Sequence, residues 1–222
     1  MAIKPILFNT EMVRAILDGR KTCTRRVAKN VPDHTHRIEP VYENGRFQFD
    51  CFYSSYVAAL DADADFCMPC FPPYQRGDIL YVRETWCKGS WMNEKERYYY
   101  KADDNDFHCV WHPSIHMPKE AARIWLKVTG VRVERLQECG EGWCIDIEKE
   151  GIATPQDPIL YISDDAFHDA LRMEFQKIWD STIKKSNLDR YSWQANPWVW
   201  VIEFERCEKP REGWNRSTKY ES

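Results

Sequence analysis

At 222 residues, with 43% hydrophobic and 14% aromatic side chains, the chain has material for one elaborated domain whose core needs no disulfide or metal support. A formal charge of −4 argues against sequence-blind coating of a phosphate backbone, but leaves room for a local basic pocket. No apolar run is long enough to cross a bilayer, the first residues lack a signal-peptide core, and nine irregularly spaced cysteines suit reduced thiols, so a cytoplasmic location is expected.

Residues 3–8 read as a first strand. Asn9 or Thr10 can cap the helix that follows, with Met12, Val13, Ile16 and Leu17 as its apolar stripe and Asp18-Gly19 as its stop. Directly after it, Gly19-Arg20-Lys21-Thr22-Cys23-Thr24-Arg25-Arg26 packs four cations and two hydroxyls into eight positions of an acidic protein. Such a local reversal of charge points to an anionic or nucleotide-like ligand. Residues 21–27 are strand-compatible. Residues 28–75 hold no sustained period and read as a long insertion with one hairpin across Val41 to Phe52 and an acidic run at 61–65.

Gly77-Asp78 is a turn that leads into a strand over 79–86, on which Leu80, Val82, Glu84 and Trp86 share one face. Glu84 is then a charge on an apolar face, and it needs a partner, a raised pKa or a pocket. Ile124, Leu126 and Val128 alternate on even positions and Val131 and Val133 on odd ones. The change of parity at Thr129-Gly130 predicts a β-bulge. A short helix around 140–150 closes at Gly151. Ser163 with Asp164 and Asp165 opens a longer helix with Phe167, Leu171, Phe175 and Ile178 on one stripe. The last strand, 198–206, places Trp198, Trp200, Ile202 and Phe204 on one face, and residues 207–222 form a charged tail. Strands of mixed spacing with few long helices define an α+β class, a small mixed β-barrel flanked by helices.

Ile6-Leu7-Phe8, the run from Met12 to Thr22, Thr24-Arg25-Arg26, Gly77-Asp78, Val82-Arg83-Glu84-Thr85-Trp86, Pro113-Ser114-Ile115-His116-Met117-Pro118 and the final Trp-Val-Ile-Glu-Phe strand together resemble the ASCH-domain family, above all its larger, phage-type members. The resemblance runs from residue 3 to about 206 and implies one PUA-like domain over 1–206 with an insertion at 28–75. The class is associated with RNA and modified nucleosides. Small bacterial members are amidohydrolases that deacetylate N4-acetylcytidine, and their catalytic lysine and threonine fall on Lys21 and Thr24 in the Gly-Arg-Lys-Thr-x-Thr run. Their catalytic glutamate finds its counterpart in Glu150, with Glu148 and Glu84 as competing carboxylates.

The resemblance thus implies an amidohydrolase with Lys21 as base, Thr24 as nucleophile and Glu150 as acid. Arg20, Arg26, Glu84, Trp86 and His116 are substrate-binding candidates, Trp86 by stacking on a base. The alternative is a non-catalytic RNA- or nucleotide-binding module, in which aromatics stack and arginines meet phosphate. Expected partners are a modified nucleoside or single-stranded RNA, with no cofactor and no obligate protein partner. Lys21 and Thr24 would face opposite sides of a regular strand, so Lys21 must sit in a turn or the strand must bulge. Arg25 reads as a surface charge. Cys67-x-x-Cys70 with Cys51 is a weak structural-zinc candidate, since no second close pair accompanies it.

Overall fold

The computed structural model describes residues 1–32, 35–43, 46–54, 65–90, 95–103, 109–138, 147–152 and 164–211. The strands are β1 (Ile3–Leu7), β2 (Cys23–Val27), β3 (Thr35–Glu43), β4 (Arg46–Ser54), β5 (Asp65–Cys70), β6 (Ile79–Arg83), β7 (Trp86–Gly89), β8 (Arg97–Tyr100), β9 (Trp125–Arg135) and β10 (Trp198–Cys207). Two longer helices are α1 (Thr10–Leu17) and α2 (Asp164–Thr182). The class is therefore α+β, as expected. The strands divide into a five-stranded sheet in the order β1-β6-β9-β10-β2, a three-stranded sheet β3-β4-β5 and the pair β7-β8. Among the described residues no sheet closes on itself, so the expected barrel is replaced by an open main sheet with β1 and β2 at its edges. No helix among those residues is long and apolar enough to cross a membrane.

The main sheet is covered on both faces, which explains the nearly unbroken apolar run of β10. Trp200, Ile202 and Phe204 pack with Leu80, Val82, Leu126 and Val128 and with Val13 and Ile16 of α1. On the other face, Val199 and Val201 meet Leu171, Phe175 and Trp179 of α2. Asn9 caps α1 by accepting the Met12 N–H at 2.9 Å. In β9 the pairing runs Glu203 with Gly130 and then Phe204 with Val128, so Thr129 is the extra residue of a bulge. The parity change in the sequence marks that position. A Cβ at Gly130 would meet the far end of the Glu203 side chain, which lies across the bulge.

The insertion departs from expectation. Its hairpin is longer than Val41 to Phe52, running from Thr35 to Ser54, and β5 adds a third strand. Pro40 and Pro69 favour a loop in the sequence, yet both lie on outer strands of the small sheet, where proline is tolerated. The acidic run at 61–64 and the tail from 212 lie outside the described residues. Uniformly reduced thiols are not found either, because Cys87 and Cys109 form a disulfide.

Gly77 and Asp78 fix the start of β6 against the N-terminus, β1 and β9. Gly77 takes a φ of +89°, and the buried Asp78 carboxylate accepts from Ala2 N–H at 2.7 Å, Gln75 N–H at 3.0 Å and Lys4 Nζ at 2.9 Å. Burial alone would raise its pKa, but the bonds from Lys4, Gln75 and Ala2 outweigh burial and hold it below the usual carboxylate value. A folded-state pKa below the unfolded one makes this clamp fully stabilising above the ordinary carboxylate range and progressively lost as pH falls through the depressed value. Asp78→Asn is expected to cost about 2 kcal/mol at neutral pH. It should also flatten the acid limb of stability against pH, as read by urea denaturation from neutrality downward.

Candidate active site

Lys21 sits in the turn between α1 and β2, ahead of the strand that carries Thr24, and among the described residues its amine bonds Glu150 and not the Thr24 hydroxyl. Its N–H donates to Ala15 O at 3.0 Å, and Thr22 N–H donates to Lys149 O at 2.8 Å. An isolated antiparallel bridge pairs Lys21 with Glu150, beyond the free edge of β2. Glu150 follows a helical turn over 147–149 that closes with Gly151 N–H donating to Glu148 O at 2.8 Å. Gly151 has φ +76°, and a Cβ on it would lie 2.7 Å from both Ala15 Cβ and Lys21 Cβ. Only glycine lets this segment close down on α1 and Lys21.

The side chains then form a chain of charges. Lys21 Nζ donates to Glu150 Oε2 at 2.7 Å and to the Glu150 main-chain oxygen at 2.8 Å. Arg25 Nη1 reaches Glu150 Oε1 at 3.2 Å, while its Nε and Nη2 hold Glu134 Oε1 at 3.0 and 2.8 Å. Arg132 Nε donates to Glu134 Oε2 at 3.0 Å and its Nη1 to Glu203 Oε1 at 2.5 Å. Three cations thus alternate with three carboxylates. The end nearest Lys21 is dry, with side-chain exposures of 1% for Lys21, 1% for Arg25 and 7% for Glu150. Arg25 is therefore a buried ion and not a surface charge. Two cations of the basic run, Lys21 and Arg25, are balanced from within, because Glu134 and Glu150 reach them from distant parts of the chain.

Strand alternation sorts the remaining residues. Thr24 pairs with Ile202 and Arg26 with Trp200, which puts both on the α1 face, while Arg25 lies on the α2 face and reaches Glu150 around the sheet edge. Thr24 is buried. Arg26 donates to Leu7 O at 2.8 Å and stands 5.4 Å from the Phe8 ring centroid; Lys21 Nζ is 5.6 Å from the same ring. Burial pulls the Arg26 pKa below its ordinary value, with Glu150 opposing. Arg26 also lines a cavity of about 460 Å³ with Leu7, Phe71, Tyr74 and Trp200.

Other expected site residues lie elsewhere. Arg20 is half-exposed and bonds Asp18 at 3.0 Å and Gly151 O at 2.9 Å. Glu148 is exposed, which leaves Glu150 as the carboxylate on Lys21. Glu84 is buried at the end of β6 and gripped by Arg123 through two bonds of 2.9 and 3.0 Å; Arg123 also holds Asp103 and lies 4.0 Å over the Tyr100 ring. Burial outweighs Arg123 and raises the Glu84 pKa. The burden falls on Glu84 because it is 1% exposed and Arg123 is 27% exposed. The expected strand breaks after Arg83, so Trp86 opens β7, where its ring meets Tyr98 at 5.6 Å and His112 at 5.1 Å. His116 is exposed in a 3₁₀ turn over 114–116. Among the described residues none of Glu84, Trp86 and His116 contacts the Lys21 cluster.

The zinc candidate does not hold. Register puts Cys67 on the opposite face of β5 from Cys70; Cys51 and Cys70 are buried and Cys67 is exposed. Cys70 Sγ instead donates to Asn30 O at 3.0 Å. Sequence reading passed over Phe8, Glu134 and Arg132. The available signal was Arg132 and Glu134 alternating with Val131 and Val133 on a strand otherwise made for the core. No family model, no curated protein and no solved structure matches this chain.

Glu150→Ala strands Lys21 as an unpaired buried cation and is expected to cost about 3–5 kcal/mol. The double variant Lys21→Met/Glu150→Leu should recover most of that loss, because it removes both charges and leaves Arg25 with Glu134. Equilibrium urea unfolding of the two variants measures the difference.

Proposed function

We propose that this chain is an ASCH-type, PUA-like amidohydrolase acting on an acylated nucleoside such as N4-acetylcytidine. The observation that carries the reading is the buried pair of Lys21 and Glu150, 129 residues apart in sequence. Desolvating two charges is expensive, and a buried pair of this kind is a signature of proton chemistry. Thr24, three residues on, is buried on the α1 face of β2.

In this mechanism Lys21 passes one proton to Glu150 Oε2 and takes the proton of Thr24 as its Oγ1 attacks the acyl carbonyl carbon. Arg26 stabilises the oxyanion. Collapse breaks the bond between the acyl carbon and N4, and the departing amine takes the proton held by Glu150. Glu150 then draws a proton from water, which attacks the acyl-threonine. The Lys21 ammonium returns a proton to Thr24, and the acid is released. Arg25 orients Glu150 through Oε1. Phe71, Tyr74 and Trp200, which line the cavity beside Arg26, provide the apolar wall for the base in place of Trp86.

The alternative of a non-catalytic RNA- or nucleotide-binding module is favoured by one observation: Lys21 and Glu150 already satisfy each other, as a purely structural pair would. Chromatography of N4-acetylcytidine incubated with the protein separates the two readings. The hydrolase releases cytidine; Thr24→Ala and Lys21→Ala each lower turnover by roughly 10²–10⁴-fold, and Thr24→Ser retains it. Absence of release across a panel of acylated nucleosides leaves the binding module.

A further inference from the structure

A second, larger cavity of about 740 Å³ lies between the three-stranded sheet of the insertion and the rim of the main sheet. Its walls include Lys4, Tyr42, Arg46, Phe71, Tyr74 and Arg76. Arginines elsewhere in the described structure are mostly engaged: Arg14, Arg20, Arg25, Arg37, Arg123 and Arg132 hold carboxylates, and Arg26, Arg83, Arg135 and Arg206 hold carbonyl oxygens. Arg46 and Arg76 make no hydrogen bond or ion pair among the described residues, and both are exposed on this one cavity. Two large aromatics stand with them, Tyr42 at 73% and Phe71 at 49% exposure, and neither ring has a stacking partner among those residues.

We infer that this cleft binds a single strand of nucleic acid, with bases stacked on Tyr42 and Phe71 and phosphates held by Arg46 and Arg76. Guanidinium groups without carboxylates supply the charge for phosphate even though the chain as a whole is acidic. Exposed aromatic faces supply a stacking surface that any base satisfies. An acidic peptide would use the cations and leave the rings idle. Phe71 and Tyr74 line this cleft and the smaller cavity of Arg26 alike, so a strand lying here leads into that cavity. The insertion is then a substrate-presenting element. The inference does not depend on hydrolysis and is tested with unmodified strands.

The test is fluorescence anisotropy of labelled oligouridylate and oligothymidylate of about eight nucleotides, a length within the usual site size for such surfaces. The wild-type protein binds with an affinity that falls with salt. Arg46→Gln/Arg76→Gln weakens binding at least tenfold and reduces the log–log salt slope by roughly 0.7 for each phosphate lost. Tyr42→Ala and Phe71→Ala each weaken it roughly 5- to 150-fold at unchanged slope. All four positions are solvent-facing, and an unaltered thermal transition confirms that the variants fold. RNA bound more tightly than DNA assigns the natural strand as RNA, and equal affinity assigns recognition to bases and phosphates alone. No binding of either strand, variants that bind like the wild type, or displacement by polyglutamate as effective as by unlabelled RNA overturns the inference.

Discussion

Everything at the sheet edge depends on one ion pair made where a strand would otherwise end in solvent. β2 is an outer strand, and an outer strand offers unpaired backbone groups. The 147–152 segment covers part of that edge through Thr22 and the Lys21–Glu150 bridge, and the side chains of the same two residues complete the closure. Backbone and side chain therefore enforce each other: the bridge fixes the register that lets the ammonium meet the carboxylate. Gly151 is the geometric condition for both, because the segment approaches Lys21 more closely than a side chain would allow.

The same pair links two faces of the sheet that alternation would keep apart. Glu150 presents one oxygen to Lys21, whose amine faces Phe8, and the other to Arg25, which lies against Phe175 of α2. From Arg25 the charges continue along β9 to Glu203. Bare ions in so dry a place would be prohibitive; alternating signs in hydrogen-bond contact make the arrangement tolerable. This is why a cluster that looks strongly basic in the sequence leaves little free positive charge at the edge. On the insertion side, Arg46 and Arg76 have neither a carboxylate nor a carbonyl partner among the described residues.

Local features were legible in the sequence and distant pairings were not. The period of α1, the bulge at Thr129 and the stop at Gly151 follow from spacing or from one residue's backbone preference. Glu84 was legible as a charge that required a partner, but Arg123, 39 residues away, could not be singled out among many arginines. Lys21 and Thr24 stood out through the run that contains them. The burial of Arg25 did not, since nothing next to it in the chain resembles Glu134. β5 stayed hidden because Pro69 argues against a strand unless one knows that the strand is outermost. The break after Arg83, which separates Glu84 from Trp86, was equally invisible, since alternation continues smoothly through it.

The extra residue at Thr129 has a consequence for how this chain tolerates changes in length. Before it, even positions of β9 point into the α1 side; after it, odd positions do, and Arg132 and Glu134 are thereby delivered to the side where Arg25 waits. Deleting a single residue there would leave composition and hydrophobicity almost untouched. It would nevertheless turn two charges into the apolar layer and expose two valines to the ions. Thr129 works as a phase shifter, and a relative lacking it would need a different set of ions at its sheet edge.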